Sequence, residues 1–208
     1  MIRILIADDH SVVRKGIIQI IEEDFPFSIV QEVNTGEELV KHALTSSWDI
    51  IISDISLPGR SGIDALHQIK SAKPQLPVLI LSMYPEEQYG IRVLKAGASG
   101  YLCKESASEV LVKAIHSILS GKKYITATIA DAMVSKLMND QNLMPHQLLS
   151  DREFEVMKLI AKGISLSEIG NLLSISITTV STYRTRIFHK MHLHTNTALT
   201  LYALEHKL

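Results

Sequence analysis

The chain has 208 residues, 46% of them apolar, and a formal net charge of −1. That is too apolar for a disordered chain, and long enough for one large domain or two small ones. Nothing in the average charge points to nucleic acid, but the average conceals an asymmetry. Up to Ser120 there are 11 Lys+Arg against 15 Asp+Glu; from Gly121 onward there are 10 against 7. An acidic front and a basic back point to two domains with different partners. The single cysteine, Cys103, excludes an internal disulfide and fits a reducing cytoplasm. The opening Met-Ile-Arg-Ile-Leu-Ile-Ala turns acidic at Asp8-Asp9, so it reads neither as a signal peptide nor as a membrane span.

In chain order, short apolar runs stand at Ile2–Ala7, Ser28–Val33, Ile50–Ile55, Val78–Met83 and Gly100–Cys103. Most are rich in Ile and Val, as strands of a parallel sheet buried on both faces are. Between them the apolar residues follow helical spacing, as in Val13, Ile17, Ile20 and Ile21, or Leu111, Ala114, Ile115 and Ile118. Five strand–helix repeats predict a (βα)5 doubly wound, flavodoxin-like α/β sheet over residues 1–120. Gly121-Lys122-Lys123 closes the last helix of that domain. Thr126–Asn139 has helical composition, and Asp140–Leu149, with Pro145, reads as a linker, so 121–147 is a linker containing a helix.

An all-helical pattern fills 148–208. Ser150-Asp-Arg-Glu153 and Ser165-Leu-Ser-Glu168 are capping boxes, each opening a helix, and Gly163 ends the first. Ser176 can cap a third helix to about Met191, and Asn196 a fourth. The tight Ser174-Ile175-Ser176 turn between the second and third makes a helix-turn-helix within a four-helix domain.

Ligands of doubly wound sheets bind beyond the carboxyl ends of the strands. Those ends carry Asp8, Asp9, Asp54, Ser82 and Lys104. An Asp at a strand end often only caps the next helix, and Asp9 precedes one. As a set, though, three carboxylates in one cleft need a cation, and oxygen ligands suit Mg²⁺. One carboxylate can then attack phosphorus, while the metal and Lys104 stabilise phosphoryl oxygens and Ser82 hydrogen-bonds one of them.

On the third helix, 100° steps from Val180 bring Tyr183, Ile187 and Met191 to one face. The opposite face carries Thr178, Ser181, Thr182, Thr185, Arg186 and His189, with no aliphatic residue among them. Hydroxyls can bond base edges or phosphates, and Arg can contact guanine in bidentate fashion. Arg184 lies on the flank, better placed for phosphate. Standing alone, such a face would read as ordinary solvated surface; within a helix-turn-helix the candidate DNA-contact set is Thr178, Thr179, Ser181, Thr182, Arg184, Thr185, Arg186 and Lys190.

Asp8-Asp9, Asp54 in Ile-Ser-Asp-Ile-Ser-Leu-Pro-Gly, Ser82, Tyr101 and Lys104 resemble the receiver domain of two-component response regulators. Leu149-Ser-Asp-Arg-Glu153, Glu168-Ile169, Ile175-Ser176 and Thr179-Val-Ser-Thr-Tyr-Arg184 resemble the LuxR-type DNA-binding domain. Together the resemblance is to NarL/FixJ-type transcriptional regulators over nearly the whole chain. It implies that Asp54 accepts a phosphoryl group from a sensor histidine kinase. Asp9, Asp54 and the Ser56 carbonyl would hold Mg²⁺, with Asp8 acting through water, and Ser82 and Tyr101 would form the switch pair. Phosphorylation would promote homodimerisation and binding to double-stranded DNA, with RNA polymerase a further partner and no membrane involved. The chemistry would be self-phosphorylation without turnover of an outside substrate.

The chain departs from the receiver pattern in places. Glu105 stands where Pro often follows the lysine, which leaves the isomer of the Lys104–Glu105 bond open. Met83 replaces a small residue at the mouth. Ser56 and Tyr84 offer no carboxylate or amide to orient a hydrolytic water, so a long-lived phosphorylated form is expected. Gly170 replaces a common Ala, which weakens that helix slightly. The helix from Asn196 also serves dimerisation in the family. Two other functions fit part of the pattern. One is an Mg²⁺-dependent phosphatase with Asp54 as nucleophile, though Ser56 stands where such enzymes carry their general acid. The other is a DNA binder whose front domain only docks proteins.

Overall fold

The computed structural model describes residues 1–138 and 144–208. The chain forms two compact units, Met1–Ser135 and Lys136–Leu208. The first alternates strands and helices: β1 (Arg3–Ala7), α1 (Ser11–Asp24), β2 (Ile29–Val33), α2 (Gly36–Thr45), β3 (Ile50–Asp54), α3 (Gly62–Ala72), β4 (Val78–Ser82), α4 (Glu86–Lys95), β5 (Gly100–Cys103) and α5 (Ala107–Leu119). The five strands are parallel in the order β2-β1-β3-β4-β5. β3 and β4 are buried along their whole length, which is why their Ile/Val/Leu runs are continuous rather than alternating.

Successive side chains point to opposite faces of the sheet. Ile4, Ile6, Ile50, Ile52, Leu79, Leu81 and Leu102 meet α1 and α5 through Ile17, Ile21, Leu111, Ile115 and Ile118. Leu5, Ile51, Ile80 and Tyr101 alternate with them and are equally buried on the other face. That face is covered by α2, α3 and α4, whose Leu39, Leu66, Ile69 and Tyr89 are buried.

The strand order reverses between β1 and β3, so the crevice of a doubly wound sheet opens there. The loop after β3 is pinned by glycine. A Cβ on Gly62 would lie 1.9 Å from the Asp54 carbonyl oxygen. Ser61 then caps α3 through Asp64 N–H, at 3.1 Å.

Beyond α5 the chain does not leave the first unit. Tyr124 forms a parallel bridge to Gly100 on the outer edge of β5, and α6 (Ala127–Met138) follows. The first unit thus extends past the expected boundary at Ser120. Of the expected helix and linker, residues 139–143 lie outside the described residues.

The second unit comprises α7 (Asp151–Ala161), α8 (Leu166–Leu173), α9 (Ile177–Met191) and α10 (Asn196–Glu205). Both expected capping boxes are present, at Ser150/Glu153 and Ser165/Glu168. Thr195, one residue before the expected Asn196, caps α10 by accepting from Ala198 N–H. The core is built from Phe154, Met157, Ile160, Ile169, Val180, Ile187 and Leu199. In the turn, Ser174 is left-handed (φ 53°), which returns Ile175 N–H to the Gly170 carbonyl at 2.9 Å. A Cβ on Gly170 would sit 2.9 Å from the Ile175 carbonyl oxygen. Glycine at 170 therefore serves the close turn, an advantage that helix propensity alone does not register.

Candidate functional site

Asp8 follows β1 and Asp54 ends β3, one on each side of the switch point. Lys104, which follows β5, reaches both: its Nζ lies 2.6 Å from Asp8 Oδ2 and 2.6 Å from Asp54 Oδ2. All three side chains are more than nine-tenths buried. Asp54 Oδ1 accepts from the Ser56 N–H at 3.3 Å. Burial pushes the Asp54 carboxyl up, Lys104 pulls it down, and the charge on Asp8 adds to the rise; the net direction is up. Burial works against the charge on Lys104, but Asp54 and Asp8 outweigh it and hold the ammonium above its ordinary range.

Asp9 is exposed at the rim and does not cap α1. The N-cap is His10, with no side-chain cap bond. The plain capping role for Asp9 is thus not the one it plays. His10 was not singled out by the sequence. Its Nδ1 lies 2.6 Å from Asp9 Oδ1, and its N–H donates to Asp8 Oδ1 at 2.8 Å. Ligand atoms of Asp8, Asp9, His10 and Asp54 all lie within 4.8 Å of one another. This convergence of three carboxylates from two strand ends fits a hard divalent cation, because close like charges otherwise repel. The Lys104–Glu105 bond is trans, with no cis bond among the described residues.

Ser82 ends β4, fully buried, and its Oγ accepts from the Tyr84 N–H at 3.3 Å. Tyr101 is fully buried too, its ring turned inward and its hydroxyl donating to the Tyr84 carbonyl at 2.6 Å. The Tyr101 hydroxyl also hydrogen-bonds with Ser82; burial pushes that phenol well above its ordinary range. Met83 at the mouth is 62% exposed.

On α9 the packing face is as expected: Val180, Ile187 and Met191 are buried and Tyr183 is half-buried. Thr178, Ser181, Thr182, Thr185, Arg186 and His189 are all exposed. Thr182 and Thr185 hydroxyls donate to the carbonyls one turn back, Thr178 and Ser181, at 3.0 and 3.1 Å. Their oxygens keep acceptor capacity outward. Thr179 is half-buried and its hydroxyl bonds the capping Ser176 at 2.8 Å. Arg184 stacks over Phe188, with its Nε on Asn196 at 2.9 Å, which presents the guanidinium on the flank.

Lys190, expected among the DNA contacts, makes an ion pair within its own unit. Its Nζ lies 2.6 Å from Glu153 Oε2. Glu153 is held below its ordinary range: burial opposes this, but Lys190 and the Ser150 bonds prevail. The ammonium ties α9 to the N-terminus of α7, a contact between distant residues that no local pattern signals. A second such tie is His146, whose Nδ1 lies 2.8 Å from the Tyr202 hydroxyl of α10.

A carboxylate crevice with a bridging lysine at the switch point of a (βα)5 sheet defines a receiver, and the second unit is a helix-turn-helix domain. Residues 4–116 match the family of response regulator receiver domains, and residues 147–203 match the luxR family of bacterial regulatory proteins. The response regulator UvrY of Escherichia coli K12 is 36% identical over 209 residues, covering 100% of this chain and 96% of that protein. The oxygen regulatory protein NreC of Staphylococcus carnosus is 36% identical over 213 residues, covering 99% and 98%. Among solved structures, RcsB from Salmonella enterica serovar Typhimurium bound to promoter rprA with the phosphomimetic BeF3⁻ superposes with a TM-score of 0.65. It is 26% identical and covers 97% of this chain and 98% of that one. This chain belongs to the NarL/FixJ-type response regulators, a receiver domain followed by a LuxR-type DNA-binding domain.

Proposed function

We propose that Asp54 is the phosphoacceptor of a two-component pathway and that its phosphorylation controls DNA binding by α9. The observation that carries this is the Asp54 carboxylate at the crevice, 2.6 Å from Lys104 and clustered with Asp8 and Asp9. Asp9, Asp54 and the Ser56 carbonyl would hold Mg²⁺, with Asp8 acting through water. When bound, the cation neutralises the carboxylates and the phosphoryl oxygens.

The chain's own groups do the rest. A carboxylate oxygen of Asp54 bonds phosphorus as the P–N bond of a kinase phosphohistidine breaks, and the leaving imidazole takes a proton. Lys104 is placed to give one of its two ion pairs to a phosphoryl oxygen. Ser82 is placed to donate its hydroxyl to another, while Tyr101 holds the loop after β4 through the Tyr84 carbonyl. No outside substrate is turned over, so the protein is a switch rather than an enzyme.

Phosphorylation then favours a homodimer that sets two α9 helices on double-stranded DNA, with RNA polymerase as a further contact. The solved RcsB–DNA complexes and RcsB dimers on DNA support that reading by likeness. Among the described residues no helix is long and apolar enough to cross a membrane, and a cytoplasmic site of action accords with a DNA target. The test compares wild type with Asp54→Asn. Acetyl phosphate with Mg²⁺ should label the first and not the second, and should raise operator affinity only in the first. Labelling of Asp54→Asn would overturn the assignment.

A further inference from the structure

The segment after α5 grips the first unit on both flanks of the switch tyrosines. On the strand side, Tyr124 pairs with Gly100, the residue before Tyr101, and its N–H donates to the Ser99 carbonyl at 2.8 Å. On the helix side, the Thr126 hydroxyl hydrogen-bonds the Glu86 carboxylate at the start of α4. One turn along α4, fully buried Ile129 packs on Gly90. Between those α4 contacts lies Tyr89, stacked on Tyr84 with ring centroids 4.8 Å apart. Tyr84 in turn holds Tyr101 through its carbonyl and Ser82 through its N–H.

Two glycines make the room. A Cβ on Gly90 would lie 2.7 Å from Ile129 Cγ1, and one on Gly100 would lie 3.0 Å from the Tyr124 carbonyl oxygen. Gly90 sits in a helix interior, where glycine is unfavourable against alanine, so its place there is accounted for by close approach.

We propose that Tyr124–Ala130 is the output latch of the receiver, seated on α4 and β5 so that it tightens as phosphorylation of Asp54 stabilises the inward Tyr101 and its bonds to Tyr84 and Ser82. Its last four residues are the start of α6, and the chain runs on from that helix to the DNA-binding unit. This rests on Asp54 being the phosphoacceptor that drives the lock. Coupling is reciprocal: a latch that prefers the inward Tyr101 also favours the phosphorylated state.

Hydrogen exchange of full-length protein, with and without Mg²⁺ and beryllofluoride, tests this in wild type, Gly90→Ala and Thr126→Val. In wild type the amides of Tyr124 and Ala130 should slow roughly fivefold or more, the lower end of ordinary allosteric coupling, together with the loops after β3 and β4. Both variants should keep the loop response and lose most of the latch response; Thr126→Val serves alone if Gly90→Ala does not fold. Unchanged latch amides in wild type, beside responding loops, would overturn the latch and leave Asp54 in place. So would a full latch response in the variants. Silence in both loops and latch would overturn the Asp54 reading and the latch with it.

Discussion

Lys104→Met keeps the length of the side chain and deletes its charge. The wild-type ammonium lies 2.6 Å from Asp8 and 2.6 Å from Asp54, with 7%, 2% and 4% of the three side chains exposed. Removing one partner of a buried pair costs about 3–5 kcal/mol, because the other charge stays buried. Asp54 already titrates above its ordinary value, so uptake of a proton relieves part of that loss. The expected deficit at pH 8 is therefore at the lower end, about 3 kcal/mol, or a shift of about 1–2 M in urea midpoint. The chain has one tryptophan, Trp48, 8% exposed in the first unit, so its fluorescence follows unfolding of the receiver alone.

The pH dependence has a fixed sign. A carboxyl with a raised folded pKa adds stability at low pH and loses it as pH rises through that value. The deficit should shrink on acidification through the raised Asp54 pKa. Lys104, also raised, gives wild type its advantage below the ordinary lysine value and loses it only on passing above. Added Mg²⁺ should narrow the gap at pH 8. A loss under about 1 kcal/mol there, or one that deepens in acid, would refute the buried-pair argument.

Gly62→Ala should cost several kcal/mol in the same urea assay, since its Cβ would fall 1.9 Å from the Asp54 carbonyl oxygen; near-wild-type stability would show that loop to be free to move. Arg186→Ala should weaken operator binding by about 1–3 kcal/mol and relax specificity at one base, whereas Arg184→Ala should weaken all sequences alike and lower the salt slope, as gel shifts at several salt concentrations will show. Lys190→Met should leave the salt slope unchanged and instead destabilise the second unit, read by far-UV circular dichroism of its melting. The Glu153 contribution is present above its ordinary pKa and lost as pH falls through the lowered folded value, so the Lys190→Met difference should vanish in acid. With Ser56 and Tyr84 offering no group to orient water, the phosphorylated form should outlast seconds; complete release of labelled phosphate within seconds would contradict this.

Much of this was legible because it is local. Strand runs of Ile and Val differ from the true strands by no more than one residue at any end, since continuous burial on both faces demands continuous apolar sequence. The capping boxes at Ser150 and Ser165 were plain, because their bonds close over three residues. The face of α9 was legible for the same reason: 100° per residue is a property of the helix alone.

What stayed hidden depends on which surfaces meet. The Lys190–Glu153 pair has no local signal because the partners stand 37 residues apart. Gly170 looked like a weak helix residue until the Ile175 carbonyl was seen against it. Residues 121–147 read as a linker containing a helix, and α6 is that helix; that Tyr124 joins β5 and Ile129 fills the space at Gly90 is set only once α4 and β5 lie side by side. By itself the sequence determined the secondary structure, the strand-end carboxylates with Lys104, and the polar face of α9, since periodicity and composition act over a few residues. The tertiary structure alone decided that Lys104 bridges Asp8 and Asp54, that Lys190 pairs with Glu153, and that the segment after α5 lies against α4 and β5. Those are distances between chain-remote atoms, set by how whole elements pack.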